Sequence, residues 1–263
     1  MSISLTSGRA RRNFGNLMRL VLEFQATVPK HLDEPERNED AVCVDEGRGV
    51  FAIADGASVS FDSRAWARLL ASRFVELPAV SPNWVDEARQ SYDHRWDYSN
   101  LNWSEQMAFD RGSFATLLGC EWREHLRDLE IFAVGDSIAV QLEDAGIVRS
   151  YPYTDAQQFD QRPHLLSTVA EANKFVHSTS FNIDTGTVWR LTEGSIVLLM
   201  TDALGHWLLS EQDGARSRLD MLLSADTYST FTELVASQRS QGVLRLDDTS
   251  LLVLAVRSHA EMP

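Results

Sequence analysis

Asn38-Glu39-Asp40 and Ala54-Asp55-Gly56 stand at the two ends of a short apolar hairpin and bring three carboxylates to one place. Val42-Cys43-Val44 and Val50-Phe51-Ala52-Ile53 read as its strands, joined by the Glu46-Gly47-Arg48-Gly49 turn. With Gly47-Arg48 as a two-residue loop, antiparallel register pairs Asp40 with Asp55 and leaves Glu39 one residue away. Acids crowded in this way repel one another unless a cation joins them, and oxygen-only donors suit magnesium or manganese rather than zinc. The spacing therefore predicts a cation site at the open end of the hairpin.

The surrounding pattern supplies elements to hold it. Met18, Leu20, Leu22, Phe24, Ala26 and Val28 alternate with mostly polar residues, the period of a half-buried strand. Asp62-Ser63 caps a predicted helix whose stripe is Ala65, Trp66, Leu69, Leu70 and Phe74, and a second helix begins near Trp84. Residues 91 to 110 lack periodicity and read as irregular, with Trp96 and Trp103 placed to flank the site. Strands return at Ser113–Glu121, Asp128–Val134 and Ser137–Leu142, with Gly135-Asp136 at a turn; there Asp136 reads as a turn former. Residues 152 to 185 carry weak signals. Ser195–Met200 is a continuous apolar strand running into Thr201-Asp202, helices are expected over Leu219–Leu223 and Thr230–Arg239, and a last strand spans Ser250–Val256 after Asp247-Asp248.

Composition narrows the classes. The 263 residues are 44% hydrophobic, enough for a core, and without repeats or low-complexity linkers they read as one domain, 1–263. The net charge of −14 argues against nucleic acid or an anionic membrane as partner, while bound divalent cations would still admit a phosphate. No apolar run is long enough to span a bilayer, and Met1–Gly15 is basic without the apolar segment of a secretion signal, so a cytoplasmic location is expected. Cys43 and Cys120 fall within apolar strands and read as reduced, buried thiols. None of the seven histidines has metal-ligand spacing with another; His206, one helical turn beyond Asp202, reads as a packing residue.

Asp55, Asp202 and Asp247 thus all sit at strand ends. Six segments, Asn38-Glu39-Asp40, Ala54-Asp55-Gly56, Gly112-Ser113-Phe114-Ala115-Thr116, Val134-Gly135-Asp136-Ser137, Met200-Thr201-Asp202-Ala203 and Asp247-Asp248-Thr249-Ser250, occur in an order that resembles the type 2C metal-dependent serine/threonine protein phosphatases, the PPM family. The resemblance covers almost the whole chain. It implies an α+β fold, an α-β-β-α sandwich of two packed antiparallel sheets flanked by helices. It implies Asp55 as a carboxylate bridging two manganese or magnesium ions, Glu39 and the Gly56 carbonyl as ligands of one, and Asp202 and Asp247 as ligands of the other. Asp40 would hold a metal-bound water, and Asp110 resembles the acid that helps bind a third, weaker ion in many bacterial members. The activity implied is hydrolysis of phosphoserine and phosphothreonine in proteins, opposite a serine/threonine kinase; the alternative is a pseudophosphatase that binds a phosphoprotein without turnover.

This sequence departs from the pattern at the phosphate-binding arginine, whose place five residues before the first-motif aspartate is taken by Pro35. Lys30 and Arg37 are the nearest cations and become the candidates for orienting phosphate. Ala203 stands where a glycine is usual, and Ala57-Ser58 where a glycine pair is, which makes the backbone there less permissive.

Overall fold

The structure, a computed structural model, describes residues 18–143, 146–210 and 215–258. The basic segment Met1–Gly15 lies outside them. From the N-terminal side the chain forms β1 (Met18–Val28), the hairpin of β2 (Ala41–Asp45) and β3 (Val50–Ala54), and helices α1 (Ser63–Glu76), α2 (Pro82–Asp93) and α3 (Trp103–Arg111). Strands β4 (Phe114–Ala115), β5 (Leu117–Arg123), β6 (Asp128–Val134), β7 (Ile138–Glu143), β8 (Gly146–Tyr151) and β9 (Leu166–Ser167) follow. Next come the short helix α4 (Phe181–Asp184), β10 (Gly186–Arg190), β11 (Ile196–Met200), α5 (Asp202–Leu209), α6 (Ala215–Ser224), α7 (Tyr228–Ser240) and β12 (Thr249–Ser258).

Two five-stranded antiparallel sheets result, in the orders β1-β12-β11-β7-β8 and β10-β6-β5-β3-β2, with β4 and β9 as a separate two-stranded ribbon. Strand alternation decides what each face covers. Phe51 and Ile53 of β3, Leu118 and Cys120 of β5, and Leu252, Leu254 and Val256 of β12 fill the layer between the sheets. The intervening Val50, Ala52 and Ala54 turn the other way, onto Trp66, Leu70 and Phe74 of α1 and Trp84 of α2. Leu251 and Val253 likewise face Leu204, Trp207 and Leu208 of α5, Leu222 of α6 and Phe231 of α7. This is the α-β-β-α sandwich expected from the sequence. Gly119 lets α1 settle on its sheet, since a Cβ there would lie 2.3 Å from the Phe74 ring.

Local signals explain the helix starts. Asp62 accepts from Ala65 N and Ser81 from Trp84 N, each satisfying one backbone donor of a first turn. Residues 91–110, read as irregular, in fact include α3, which begins at a capping box of Asn102 and Glu105; none of its residues is fully buried, which is why no apolar period marks it. Strands β8 and β10, at the sheet edges, also carried no readable alternation. Cys120 is buried, Cys43 only partly, and both thiols are free. Among the described residues no helix is long and apolar enough to cross a membrane.

Candidate active site

The hairpin register is Ala41↔Ala54 through Asp45↔Val50, one rung short of Asp40 and Asp55, so the loop holds four residues rather than two while the predicted pairing stands. Antiparallel register then carries the other acids to the same edge. The end of β3 lies beside the start of β5, the start of β5 beside the end of β6, the start of β7 beside the end of β11, and the start of β12 beside both β11 and the end of β1. Asp55, Asp136, Asp202, Asp247 and Asp248 all follow or precede strands at that edge.

The backbone at Asp55 is fixed from both sides. Asp55 N donates to Thr116 Oγ1 (2.9 Å), Thr116 N donates to Asp55 O (2.8 Å), and Thr116 Oγ1 shares a hydrogen bond with Ser137 Oγ at 2.9 Å. Gly135, at φ 107°, allows this contact, for a Cβ there would lie 2.5 Å from Thr116 Cγ2. The glycine-to-threonine segment and the Gly135-Asp136-Ser137 turn therefore act as a brace behind Asp55. Gly56 bridges to Ala115 and passes so close to Ser63 that a Cβ would sit 2.9 Å from its carbonyl carbon.

Asp40 is buried. Its Oδ2 accepts from Ser250 Oγ (2.6 Å) and Thr201 Oγ1 (3.2 Å), whereas its Oδ1 is buried without any partner. Such an oxygen is costly in a folded protein unless something else satisfies it. Asp248, also buried, accepts from Lys30 N (2.6 Å) and Glu39 N (2.7 Å), fastening the segment before β2 to the start of β12. Arg239 of α7 adds a second fastening: it donates to the carbonyls of Pro29 (2.8 Å) and Asp247 and to Thr249 Oγ1 (3.0 Å).

The acids act strongly on one another. Burial, then the charges of Asp40, Asp202, Asp247 and Asp136, hold the Asp55 carboxyl well above the usual carboxylate range. Asp40 is raised by burial and by Asp248 and Asp202, against the lowering effect of its hydroxyl partners. Asp202 is pushed up to about 7 by burial and by Asp136 and Asp247. Asp136 is raised by burial and by Asp247, although its own backbone hydrogen bond opposes the shift. It forms its turn, as the sequence indicated, and also belongs to the acid group, which the sequence reading missed.

Among the described residues no three Asp, Glu, His or Cys side chains enclose an ion as they stand. Several of the carboxylates are drawn to protein partners. Asp202 accepts from Ala203 N (2.6 Å), Asp247 accepts from Asp248 N (3.0 Å) and lies 3.7 Å from Lys30 Nζ, and Glu39 accepts from Ser63 Oγ. The donor set nonetheless fits a hard divalent cation: it is made of oxygens, it repels itself, and it keeps the Asp40 Oδ1 unsatisfied.

Asp55, Gly56, Asp136 and Asp247 open onto a cavity of about 610 Å³ that Arg162, Pro163 and His164 also line. A smaller cavity of about 170 Å³ is lined by Lys30, Arg37, Glu39 and Asp248. Lys30 thus reaches the acid group through Asp247, while Arg37 is well exposed and paired with Glu34 at 3.0 Å. Asp110, exposed at the end of α3, accepts from Tyr98 Oη (3.0 Å). Trp96 packs edge-on against Phe61, Trp103 is exposed, and His206 packs edge-on against Phe159.

No protein-family model and no curated protein sequence matches this chain. Solved structures do. The Mycobacterium tuberculosis serine/threonine phosphatase PstP/Ppp superposes with a TM-score of 0.57 at 16% identity, over 91% of this chain and 99% of that one. The catalytic domain of serine/threonine protein phosphatase PstP in complex with two manganese ions gives 0.55 at 17%, over 91% and 99%. The PPM Ser-Thr phosphatase MsPP from Mycobacterium smegmatis gives 0.51 at 17%, over 89% and 98%. The chain has the PPM phosphatase fold.

Proposed function

We propose that this protein is a divalent-cation-dependent phosphatase acting on phosphoserine and phosphothreonine of proteins. The observation that carries the reading is the convergence of Asp40, Asp55, Asp202 and Asp247 on one sheet edge of a PPM fold, with a buried carboxylate oxygen of Asp40 unsatisfied. Asp55, Glu39, the Gly56 carbonyl, Asp202 and Asp247 would hold two manganese or magnesium ions, as PstP holds two of manganese, and Asp110 would help with a weaker third. When bound, such ions activate water for in-line attack on phosphorus and neutralise the phosphate.

The chain's own residues do the positioning. Thr116 and Ser137 hold Asp55 from behind, and Thr201 and Ser250 occupy one oxygen of Asp40 so that the other can orient the attacking water. Ala57 offers no proton to the leaving alcohol, which takes it from water. The substrates would be phosphoproteins made by a serine/threonine kinase, met in the cytoplasm.

The test is hydrolysis of p-nitrophenyl phosphate and a phosphothreonine peptide, side by side, with chelator, manganese and zinc. Activity should vanish with chelator and return with manganese better than with zinc, because the donors are hard oxygens. Full turnover in excess chelator would rule the reading out; an inert protein with manganese demonstrably bound would assign it a binding role instead.

A further inference from the structure

Pro35 leaves open which cation meets the phosphate, and the cations around the acid group are nearly all committed. Lys30 lies against Asp247, Arg37 against Glu34, Arg245 against Asp160, and Arg239 is held by the carbonyls of Pro29 and Asp247. Arg162 differs. It lines the 610 Å³ cavity together with Asp55 and Asp247, it is exposed, and among the described residues it has no hydrogen bond or ion pair. No other Lys or Arg among the described residues lines that cavity.

The arm that carries Arg162 is anchored on both sides. Upstream, a turn of 3-10 helix over Ala156–Asp160 starts with a capping box of Asp155 and Gln158, and Gln161 N donates to Gln158 O at 3.2 Å. Downstream, Leu166 pairs with Ala115 in the ribbon of β4 and β9, and its carbonyl accepts from Trp66 Nε1 at 2.9 Å. Between them His164 stacks on Phe175 with ring centroids 4.8 Å apart, and Pro163 restricts the backbone on either side of its peptide bond. Ala115 is the neighbour of Thr116, the residue that braces Asp55, so the arm and the acids are built on one support.

We infer that Arg162 is the phosphate-binding residue of this site, gripping the phosphate in the cavity it shares with the acids, in place of the arginine that Pro35 replaces. This rests on the phosphatase reading for the reaction but concerns anion binding, which can be measured alone. A guanidinium presents paired N–H donors that match two phosphate oxygens, and an uncommitted one pays little to be redirected. The phosphate so held is that of a phosphorylated side chain or the free anion, which share this chemistry.

The experiment compares wild type, Arg162→Ala and Arg162→Lys for inorganic phosphate affinity by calorimetry with saturating manganese, and for KM and kcat on p-nitrophenyl phosphate and a phosphothreonine peptide. Arg162→Ala should weaken phosphate binding about tenfold to a hundredfold, the range for losing a charged hydrogen bond, with manganese affinity and melting temperature unchanged. Arg162→Lys should fall between, restoring charge without the fork, and in both variants KM should rise more than kcat falls. Phosphate affinity within twofold of wild type in Arg162→Ala would overturn the inference even if the protein is an active phosphatase. Arg162-dependent phosphate binding in a wild type that hydrolyses nothing would sustain the inference and overturn the phosphatase reading. A wild type that neither binds phosphate nor turns over substrate would overturn both.

Discussion

Removing divalent cations should leave a protein that becomes less stable as pH rises through the weakly acidic range. Burial, followed by the charges of Asp136 and Asp247, lifts Asp202 from the ordinary 3.8 to about 7 in the folded state. Below pH 3.8 the carboxyl is protonated in both states and favours neither. Between about 4 and 7 the folded protein keeps the proton and the unfolded chain loses it, so each pH unit lowers unfolding free energy by about 1.4 kcal/mol. Across the interval Asp202 alone costs about 4 kcal/mol, and Asp40 and Asp55, raised for the same reasons, act in the same direction. From pH 5 to 7 the Asp202 share is about 2 kcal/mol, since the folded carboxyl is half ionised at about pH 7, which for a chain of this size lowers the melting temperature by roughly 4 to 8 °C. Bound manganese would take the place of those protons and stabilise the ionised acids, so the gap between manganese-loaded and chelated melting curves should widen with pH. The assay is thermal unfolding at half-unit pH steps in excess chelator and in saturating manganese; surface groups titrate in both series and cancel in the difference. A gap that is constant or narrows between pH 5 and 7 would refute the reasoning.

Asp55→Asn should abolish turnover, by a hundredfold or more at saturating manganese, while the chelated melting temperature holds or rises because one crowded charge is gone; steady-state kinetics beside melting curves checks both halves. Asp248→Ala strips two partly buried backbone donors, Lys30 N and Glu39 N, of their acceptor and should cost about 2 to 4 kcal/mol by urea unfolding, with Asp248→Asn milder because one acceptor survives. Thr116→Val keeps shape but leaves Asp55 N unpartnered in the interior, so a loss of about 1 to 3 kcal/mol and a clear fall in kcat are expected. Unfolding midpoints equal to wild type would show that the Thr116 brace is not what holds Asp55.

The sequence carried the fold wherever apolar residues repeated along one face or ran on without a break. β1, the β2-β3 register, α1 and α2 were legible because their apolar residues repeat at strand or helix period or follow a cap, and β11 and β12 because they are continuous apolar runs. α3 had a readable signal in Asn102 and Glu105, but its largely exposed surface hid it behind the tryptophans around it. For the site, the acids at strand ends could be found because rigid strands deliver their ends to one edge. Asp136 was passed over because an aspartate after a glycine has an adequate local role, and its second role appears only through Asp202 and Asp247 across the sandwich. Arg239 and Arg162 had no local mark at all. Their importance comes from contacts that join distant segments, such as Arg239 with Pro29 or the Arg162 arm with Ala115 through β9.

Among the described residues β12 is the last strand in chain order, yet it lies second in its sheet, and its partner β1 is the first, with Met18 opposite Ser258. Before β12 is inserted, β1 has no strand to pair with, Ser250 is not beside Asp40, and Asp247 and Asp248 are not at the edge. A nascent chain emerging from the ribosome would therefore carry most of the proposed ligands while the proposed site stays incomplete until β12 is made. Closing so long a loop is entropically slow, so maturation should lag behind synthesis. The proposed activity should switch on in one step, with translation of β12 as the trigger.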